Sequence, residues 1–154
     1  MNGYKSPLKF DRAPAEALVF QCSDHRTGAA LRDFLDNGLR LKGNYDLLAL
    51  PGGPQCMTLV EYLPKLSWAL SKWIRYLVDA HELKRLILIA HEDCGWYKQL
   101  PFHLLGSSDP RQRQEDDLRR VKQVLARDFP YLRVELYYAA FDSSDHVTIE
   151  SVPG

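Results

Sequence analysis

Three apolar runs limit the folds open to this chain more than any other feature of its sequence. Residues 17–22, 45–50 and 85–90 each have the length and composition of a short strand, and the last is almost continuously apolar. Continuous apolarity is typical of a strand buried on both faces, as in parallel sheets. Segments with helical spacing of apolar residues follow at 27–37 and 65–82. This alternation predicts a mostly parallel sheet with helices on both faces.

The second half of the chain extends the pattern. A charged helix is predicted over about 111–128, a fourth strand over 132–140 and a short fifth strand over 147–152. The tight connection between the last two strands indicates a hairpin, so the fifth strand is expected to be antiparallel. We therefore predict one α/β domain over 17–154, with four parallel strands and a C-terminal antiparallel strand. Residues 1–16 are polar and contain two prolines, which predicts an extended N-terminal arm.

Glycine and proline mark the breaks between these elements. The segment Pro51–Pro54 reads Pro-Gly-Gly-Pro and closes the second strand, because it can neither continue a ladder nor start a helix directly. Pro64 suits the start of the helix that follows. A loop rich in proline, glycine and serine is predicted over about 101–110.

The composition excludes several classes of protein. Lysine plus arginine and aspartate plus glutamate both number 20, so there is no basic excess of the kind that nucleic-acid binding needs. Charged residues interrupt the longest apolar helix, which excludes a membrane span. The N-terminus lacks an apolar signal region. Three cysteines are an odd number, which favours reduced thiols over a disulfide framework. We expect a cytoplasmic protein without nucleic-acid or membrane partners.

Two short motifs follow two of the predicted strands: Cys22–Arg26 reads Cys-Ser-Asp-His-Arg, and His91–Gly95 reads His-Glu-Asp-Cys-Gly. In open α/β sheets, ligands bind beyond the carboxyl ends of the strands, where the strand order reverses. The motifs meet there if the first and third strands are neighbours and the second lies beyond the first. Two thiols and an imidazole suit zinc, and three protein ligands are typical of catalytic zinc. The sequence predicts a zinc site at Cys22, His91 and Cys94.

Asp24 and Arg26 lie beside the first thiol. Asp24 can occupy the fourth metal position itself or hold a zinc-bound water, and Arg26 can keep it ionised by pairing with it. The ordinary alternative is that Asp24 caps the next helix and pairs with Arg26 at the surface. Cys56 follows the Pro-Gly-Gly-Pro turn; as a fourth thiolate it would make the site structural, although a core thiol is the commoner situation.

Cys-x-Asp-x-Arg followed by His-x-x-Cys-Gly resembles the signature of the β-class carbonic anhydrases, and the likeness runs through most of 17–152. The resemblance implies that Cys22, His91 and Cys94 bind zinc and that Asp24 and Arg26 form a dyad. It implies a lyase in which zinc-bound hydroxide attacks carbon dioxide to give bicarbonate. Members of that family are homodimers or larger assemblies, with active sites near the subunit interface.

Three departures from the family pattern distinguish this chain. Ala49-Leu50-Pro51 stands where typical members have an Arg-Asn pair, and Trp96 and Tyr97 follow the Cys-Gly where residues are usually small. These first two departures concern the substrate pocket. The long N-terminal helices that commonly wrap a partner subunit cannot fit in residues 1–16, which concerns the mode of dimerisation.

Other functions stay open at this point. One is a non-catalytic zinc protein that keeps the fold for binding or assembly, and another is a relative that hydrolyses a different small linear molecule. A third is a cysteine-dependent phosphatase or sulfurtransferase, with Cys22 as nucleophile and Arg26 as anion clamp. The three residues between them are fewer than a phosphatase loop needs to wrap an oxyanion. Trp68, Trp73 and Trp96 are expected to be core or interface aromatics.

Overall fold

The computed structural model describes residues 3–60, 63–99 and 109–154, which contain a five-stranded sheet in the order β2-β1-β3-β4-β5. The strands are β1 (Ala17–Cys22), β2 (Tyr45–Leu50), β3 (Arg85–His91), β4 (Arg133–Phe141) and β5 (Val147–Ser151). The first four strands are parallel, and β5 pairs antiparallel with β4. The predicted fold class is confirmed, including the reversal of strand order at β1 and β3.

Helices cover both faces of the sheet, as predicted. They are α1 (His25–Asp33), α2 (Pro64–Ala80), α3 (Gly95–Gln99) and α4 (Pro110–Asp128). The helix predicted from Thr27 begins earlier because Asp24 caps it, and its last turn is a π-helical turn over Phe34–Gly38. The short helix α3 was not predicted. Most of the loop predicted over 101–110 lies outside the described residues.

The two central strands are buried because side chains on each face meet a helix layer. Every residue of β1 is buried. Leu18 and Phe20 contribute to the core under α2 and α4, whereas Ala17 and Val19 contribute to the core under α1. Buried on both faces, β1 and β3 are fixed against each other, and their carboxyl ends lie side by side.

The Pro-Gly-Gly-Pro turn brings the chain back over the carboxyl end of β1. Gly52 and Gly53 have φ angles of 78° and 55°, in the left-handed region that favours glycine. A short 3-10 helix, Gly53–Met57, follows and is entirely buried. A Cβ on Gly53 would lie 2.8 Å from the backbone nitrogen of Cys22. The turn therefore approaches β1 more closely than any side chain at Gly53 would allow.

Residues 3–16 contain no helix or strand and are mostly exposed. The division into an arm and a domain starting at residue 17 stays a prediction. Among the described residues, none of the helices has the length and apolarity needed to cross a bilayer.

Replacing Gly53 with alanine should destabilise the protein more than the same change at Gly43. Both glycines have positive φ, so both variants incur about 1–2 kcal/mol of backbone strain. Only Gly53 faces backbone atoms, since nothing lies within 4 Å of a Cβ at Gly43, and overpacking should add about 1–3 kcal/mol. Urea unfolding of the two variants measures the difference. Equal free energies of unfolding would contradict the close approach of this turn to β1.

Candidate metal centre

Three side chains with metal-binding atoms converge at the carboxyl edge of the sheet. Cys22 ends β1, His91 ends β3, and Cys94 follows in the turn after β3. Their ligand atoms all lie within 4.8 Å of one another, and all three residues are buried. Residues far apart in sequence meet here because β1 and β3 are parallel neighbours. The structure thus brings together the three residues that the sequence predicts as metal ligands.

A tight turn after β3 brings Cys94 back toward the sheet. Asp93 has a φ of 58°, a left-handed conformation that aspartate adopts more readily than most residues. The preceding Glu92 remains attached to the sheet, donating its backbone N–H to the Ala139 carbonyl at 2.8 Å. Helix α3 starts immediately after Cys94. The chain therefore reverses within two residues, which lets Cys94 lie beside His91.

The two sulfur atoms of the cluster have the separation that a tetrahedral ion requires. The Sγ atoms of Cys22 and Cys94 are 3.9 Å apart, and zinc–sulfur bonds of about 2.3 Å in tetrahedral geometry imply about 3.8 Å. The Cys94 thiol, as hydrogen-bond partner, lowers the pKa of Cys22 below its ordinary value. The same contact, together with burial, raises the pKa of Cys94. Only a cation between the sulfurs lets both ionise, so the pair fits a divalent metal.

His91 is oriented as a metal ligand by its own main chain. Its Nδ1 lies 2.8 Å from the carbonyl oxygen of Glu92, and its Nε2 is buried with no hydrogen-bond partner among the described residues. With the proton on Nδ1 donated to that carbonyl, Nε2 presents a lone pair. A backbone carbonyl is a usual outer partner of a metal-binding histidine. The free Nε2 and the paired sulfurs together match the ligand set of a zinc site.

Asp24 and Arg26 form the pair that the first motif predicts. The Arg26 side chain donates from Nη2 to Asp24 Oδ2 at 2.6 Å and from Nε to Oδ1 at 3.0 Å. These hydrogen bonds hold the pKa of the Asp24 carboxyl well below its usual range. Asp24 also accepts the backbone N–H of Arg26 at 3.0 Å, which caps α1. The capping role and the predicted ion pair are thus both present.

Arg26 also binds a second acid that the sequence argument did not single out. Its Nη1 donates to Asp93 Oδ2 at 2.9 Å, and its Nη2 donates to the Asp93 carbonyl at 3.0 Å. Lys98 forms a further ion pair with Asp93. Arg26 therefore ties the first motif to the second. The only sequence signal was an acid between His91 and Cys94, which does not reveal its partner.

A cavity of about 380 Å³ opens beside this pair of motifs. Its lining includes Arg26 and His91, together with Phe141 and Val147 of the β4–β5 hairpin. The cavity provides both charged and apolar contacts next to the metal-binding cluster.

The remaining candidate residues have mainly packing roles. Cys56 donates its thiol to the Pro51 carbonyl at 3.2 Å, and burial raises its pKa to about 11. It is not part of the three-residue cluster, so it is a core thiol. Trp96 packs against the two cluster cysteines and against Gly52. Trp68 is 66% exposed and Trp73 is 49% exposed, so these two tryptophans are not core residues.

Comparison with sequence families and relatives gives limited information. No family model matches the chain. A protein of Rickettsia bellii is 26% identical over 132 residues, which are 83% of this chain and 78% of the relative. A protein of Rickettsia conorii is 24% identical over 136 residues, and the match covers 83% of this chain and 69% of the relative. Both are named only as uncharacterized proteins.

Solved structures are more informative. A carbonic anhydrase of Streptococcus mutans matches with a TM-score of 0.56 at 15% identity, covering 94% of this chain and 88% of that one. The β-carbonic anhydrase CafA of Aspergillus fumigatus matches with a TM-score of 0.53 at 16% identity, covering 92% and 77%. A Sordaria macrospora β-carbonic anhydrase matches with a TM-score of 0.50 at 15% identity, covering 88% and 80%. This chain has the β-carbonic anhydrase fold. The fold implied by the two motifs is thereby confirmed.

Two substitutions of Asp24 should separate its capping role from its charge. Asparagine caps a helix about as well as aspartate, whereas Asp24→Ala removes the cap at a cost of about 1 kcal/mol. The ion pair with Arg26 adds little to stability, because the Arg26 side chain is 52% exposed. In urea unfolding, Asp24→Asn should therefore stay close to wild type while Asp24→Ala falls below it. Equal losses in both variants would show that the charge, and not the cap, stabilises this segment.

Proposed function

We propose that this chain is a zinc-dependent lyase that interconverts carbon dioxide and bicarbonate. The observation that carries the proposal is the convergence of Cys22, His91 and Cys94 beside an Asp24–Arg26 pair, at the strand ends of a β-carbonic anhydrase fold. The matched structures from Streptococcus, Aspergillus and Sordaria are named as carbonic anhydrases. Their names support the same chemistry here.

Cys22, His91 and Cys94 would hold the zinc, with two thiolates offsetting the charge of the dication. Zinc in such a site acts as a Lewis acid that activates water at neutral pH. The buried position of the three residues would fix such a metal at the sheet edge. Asp24 is not among the clustered ligand atoms, so it would act beside the metal and not as one of its ligands.

Asp24 would orient the reacting water. Its carboxylate is kept ionised by Arg26, so it can accept a hydrogen bond from the water that attacks carbon dioxide. Arg26 would act by holding Asp24 in place, since it also bonds to Asp93 and is thereby fixed on two sides. The apolar side chains of Phe141 and Val147 suit an uncharged substrate such as carbon dioxide in the adjacent cavity.

The proposal extends to assembly and location. The Sordaria enzymes are described as tetrameric, which supports a homodimer or larger homo-oligomer here. The exposed aromatic side chains of α2, Trp68, Trp73 and Tyr76, provide a surface for a second copy. All three cysteines are free, which suits a reducing compartment such as the cytoplasm.

A non-catalytic zinc protein, or a relative that hydrolyses another small linear molecule, is the second candidate. The observation that favours it is Trp96, whose ring lies against Gly52 and the cluster cysteines where family members have small residues. A carbon dioxide hydration assay at neutral and mildly alkaline pH separates the candidates. Zinc bound with no hydration above background would favour the second candidate.

The alternative in which Cys22 is a nucleophile and Arg26 an anion clamp has less support. The Arg26 guanidinium is already bound by Asp24 and Asp93, so it is not available to hold an anionic substrate.

Asp24→Asn should retain zinc but lose at least about 100-fold in the rate of carbon dioxide hydration. The expected loss comes from the negative charge, because the neutral amide oxygen of asparagine is a much weaker hydrogen-bond acceptor for the reacting water than the ionised carboxylate. Asp79→Asn, at an exposed site on α2, is the matched control and should keep full activity. Stopped-flow hydration assays and metal analysis on the same samples test this. Unchanged turnover in Asp24→Asn would remove the aspartate from the mechanism.

Cys22→Ser and Cys94→Ser should each purify without stoichiometric zinc and should unfold at lower temperature, because metal binding is coupled to folding. Cys56→Ser is the matched control, since it removes a buried thiol outside the cluster. It should keep one zinc per chain. Elemental analysis of the three purified variants gives the answer. Full zinc content in either of the first two variants would refute this ligand set.

A further inference from the structure

Each sulfur of the metal-binding cluster has a backbone N–H donor from a neighbouring loop. The Gly52 N–H donates to the Cys22 Sγ at 3.4 Å. Trp96 and Tyr97, in the helix α3 that directly follows Cys94, pack beside the two sulfurs, and their backbone N–H groups are placed to stabilise the Cys94 thiolate. N–H donors of this kind stabilise a thiolate and orient it toward a metal. Their positions depend on two separate segments, the turn after β2 and the helix α3.

A single carboxylate, Asp117 of α4, holds both segments. Its Oδ2 accepts the Tyr97 hydroxyl at 3.0 Å and the Gln55 Nε2 at 3.2 Å. Gln55 belongs to the buried 3-10 helix that begins right after Gly52, and Tyr97 is itself one of the N–H donors. All three side chains are buried. The oxygen thus joins the loop that supports Cys22 to the helix that supports Cys94.

Burying a carboxylate costs stability, so the position of Asp117 in the interior calls for an explanation. Asp117 is 5% exposed, and burial raises its pKa. Its ion pair with Arg120 is long, at 3.7 Å, while the nearer Tyr97 and Gln55 provide uncharged donors. A buried carboxylate with few charged partners is unfavourable for stability, and an apolar residue of similar size would serve packing better. Its position between the two supporting segments provides the reason for a carboxylate here.

We infer that Asp117 is a positioning residue for the metal centre, which fixes the two N–H donors that face Cys22 and Cys94. This inference rests on the proposed zinc site and adds a residue that touches neither the metal nor the substrate. Outer partners of this kind typically change metal affinity by about 10–100-fold when removed.

The test is the zinc affinity of the intact protein, measured by competition with a chromogenic chelator. Asp117→Leu keeps the size of the side chain and removes the acceptor, and should weaken zinc binding at least about 10-fold. Asp117→Asn keeps an amide oxygen that can accept both hydrogen bonds, and should restore binding to within about 3-fold of wild type. Tyr97→Phe removes one donor without removing the ring, so it provides a milder variant should Asp117→Leu fail to fold.

Two controls separate positioning from general destabilisation. Val121→Ala weakens the core on the same helix without touching the network, and Asp116→Leu removes the neighbouring exposed carboxylate. Both should keep wild-type zinc affinity. Cobalt-substituted protein gives an independent readout, because its thiolate-to-metal absorption should shift in Asp117→Leu and Tyr97→Phe but not in the controls.

The outcomes distinguish this inference from the proposed function. Unchanged zinc affinity and an unchanged cobalt spectrum in folded Asp117→Leu or Tyr97→Phe would overturn the inference, and so would an equal loss in Val121→Ala. Wild-type protein that binds zinc but does not hydrate carbon dioxide would refute the lyase activity and leave the inference standing. Wild-type protein that binds no zinc would contradict both.

Discussion

The contact between two buried sulfurs is the interaction on which this structure depends. The Sγ atoms of Cys22 and Cys94 lie 3.9 Å apart, and both residues are buried. Two thiolates at this distance repel each other strongly in a medium of low polarity, so both can ionise only around a cation. The Nε2 of His91, which has no hydrogen-bond partner in the described part of the chain, completes the set of metal-binding atoms. The fold supplies this proximity through the parallel pairing of β1 with β3, and the rest of the site is built around it.

The surroundings of the cluster combine features shared with the β-carbonic anhydrase fold and features particular to this chain. The order of the strands and the reversal at β1 and β3 place the two motifs together. Arg26 then links them, holding Asp24 on one side and Asp93 on the other. Trp96 is particular to this chain, since its ring packs against Gly52 at a position where the sequence resemblance implies a small residue. The metal-binding geometry and the pocket beside it are therefore separable properties of this molecule.

The sequence predicted the elements whose patterns are strong and local. The bounds of β1 and β2 agree with the prediction because each strand is bordered by turn residues and contains a regular apolar run. The start of α1 was displaced because Asp24, read mainly as a dyad member, also caps the helix. The helix α3 is too short to show periodicity. The contacts of Asp93 and Asp117 depend on tertiary structure, and no spacing in the sequence could reveal their partners.

The central claim is that one divalent ion lies between two sulfurs and one imidazole. Crystals of protein purified without added metal or chelator, measured on both sides of the zinc absorption edge, test it most directly. A single anomalous peak is expected about 2.3 Å from the sulfurs of Cys22 and Cys94 and about 2.0 Å from His91 Nε2. The absence of a peak at that position, or a peak coordinated by Cys56 instead, would contradict it.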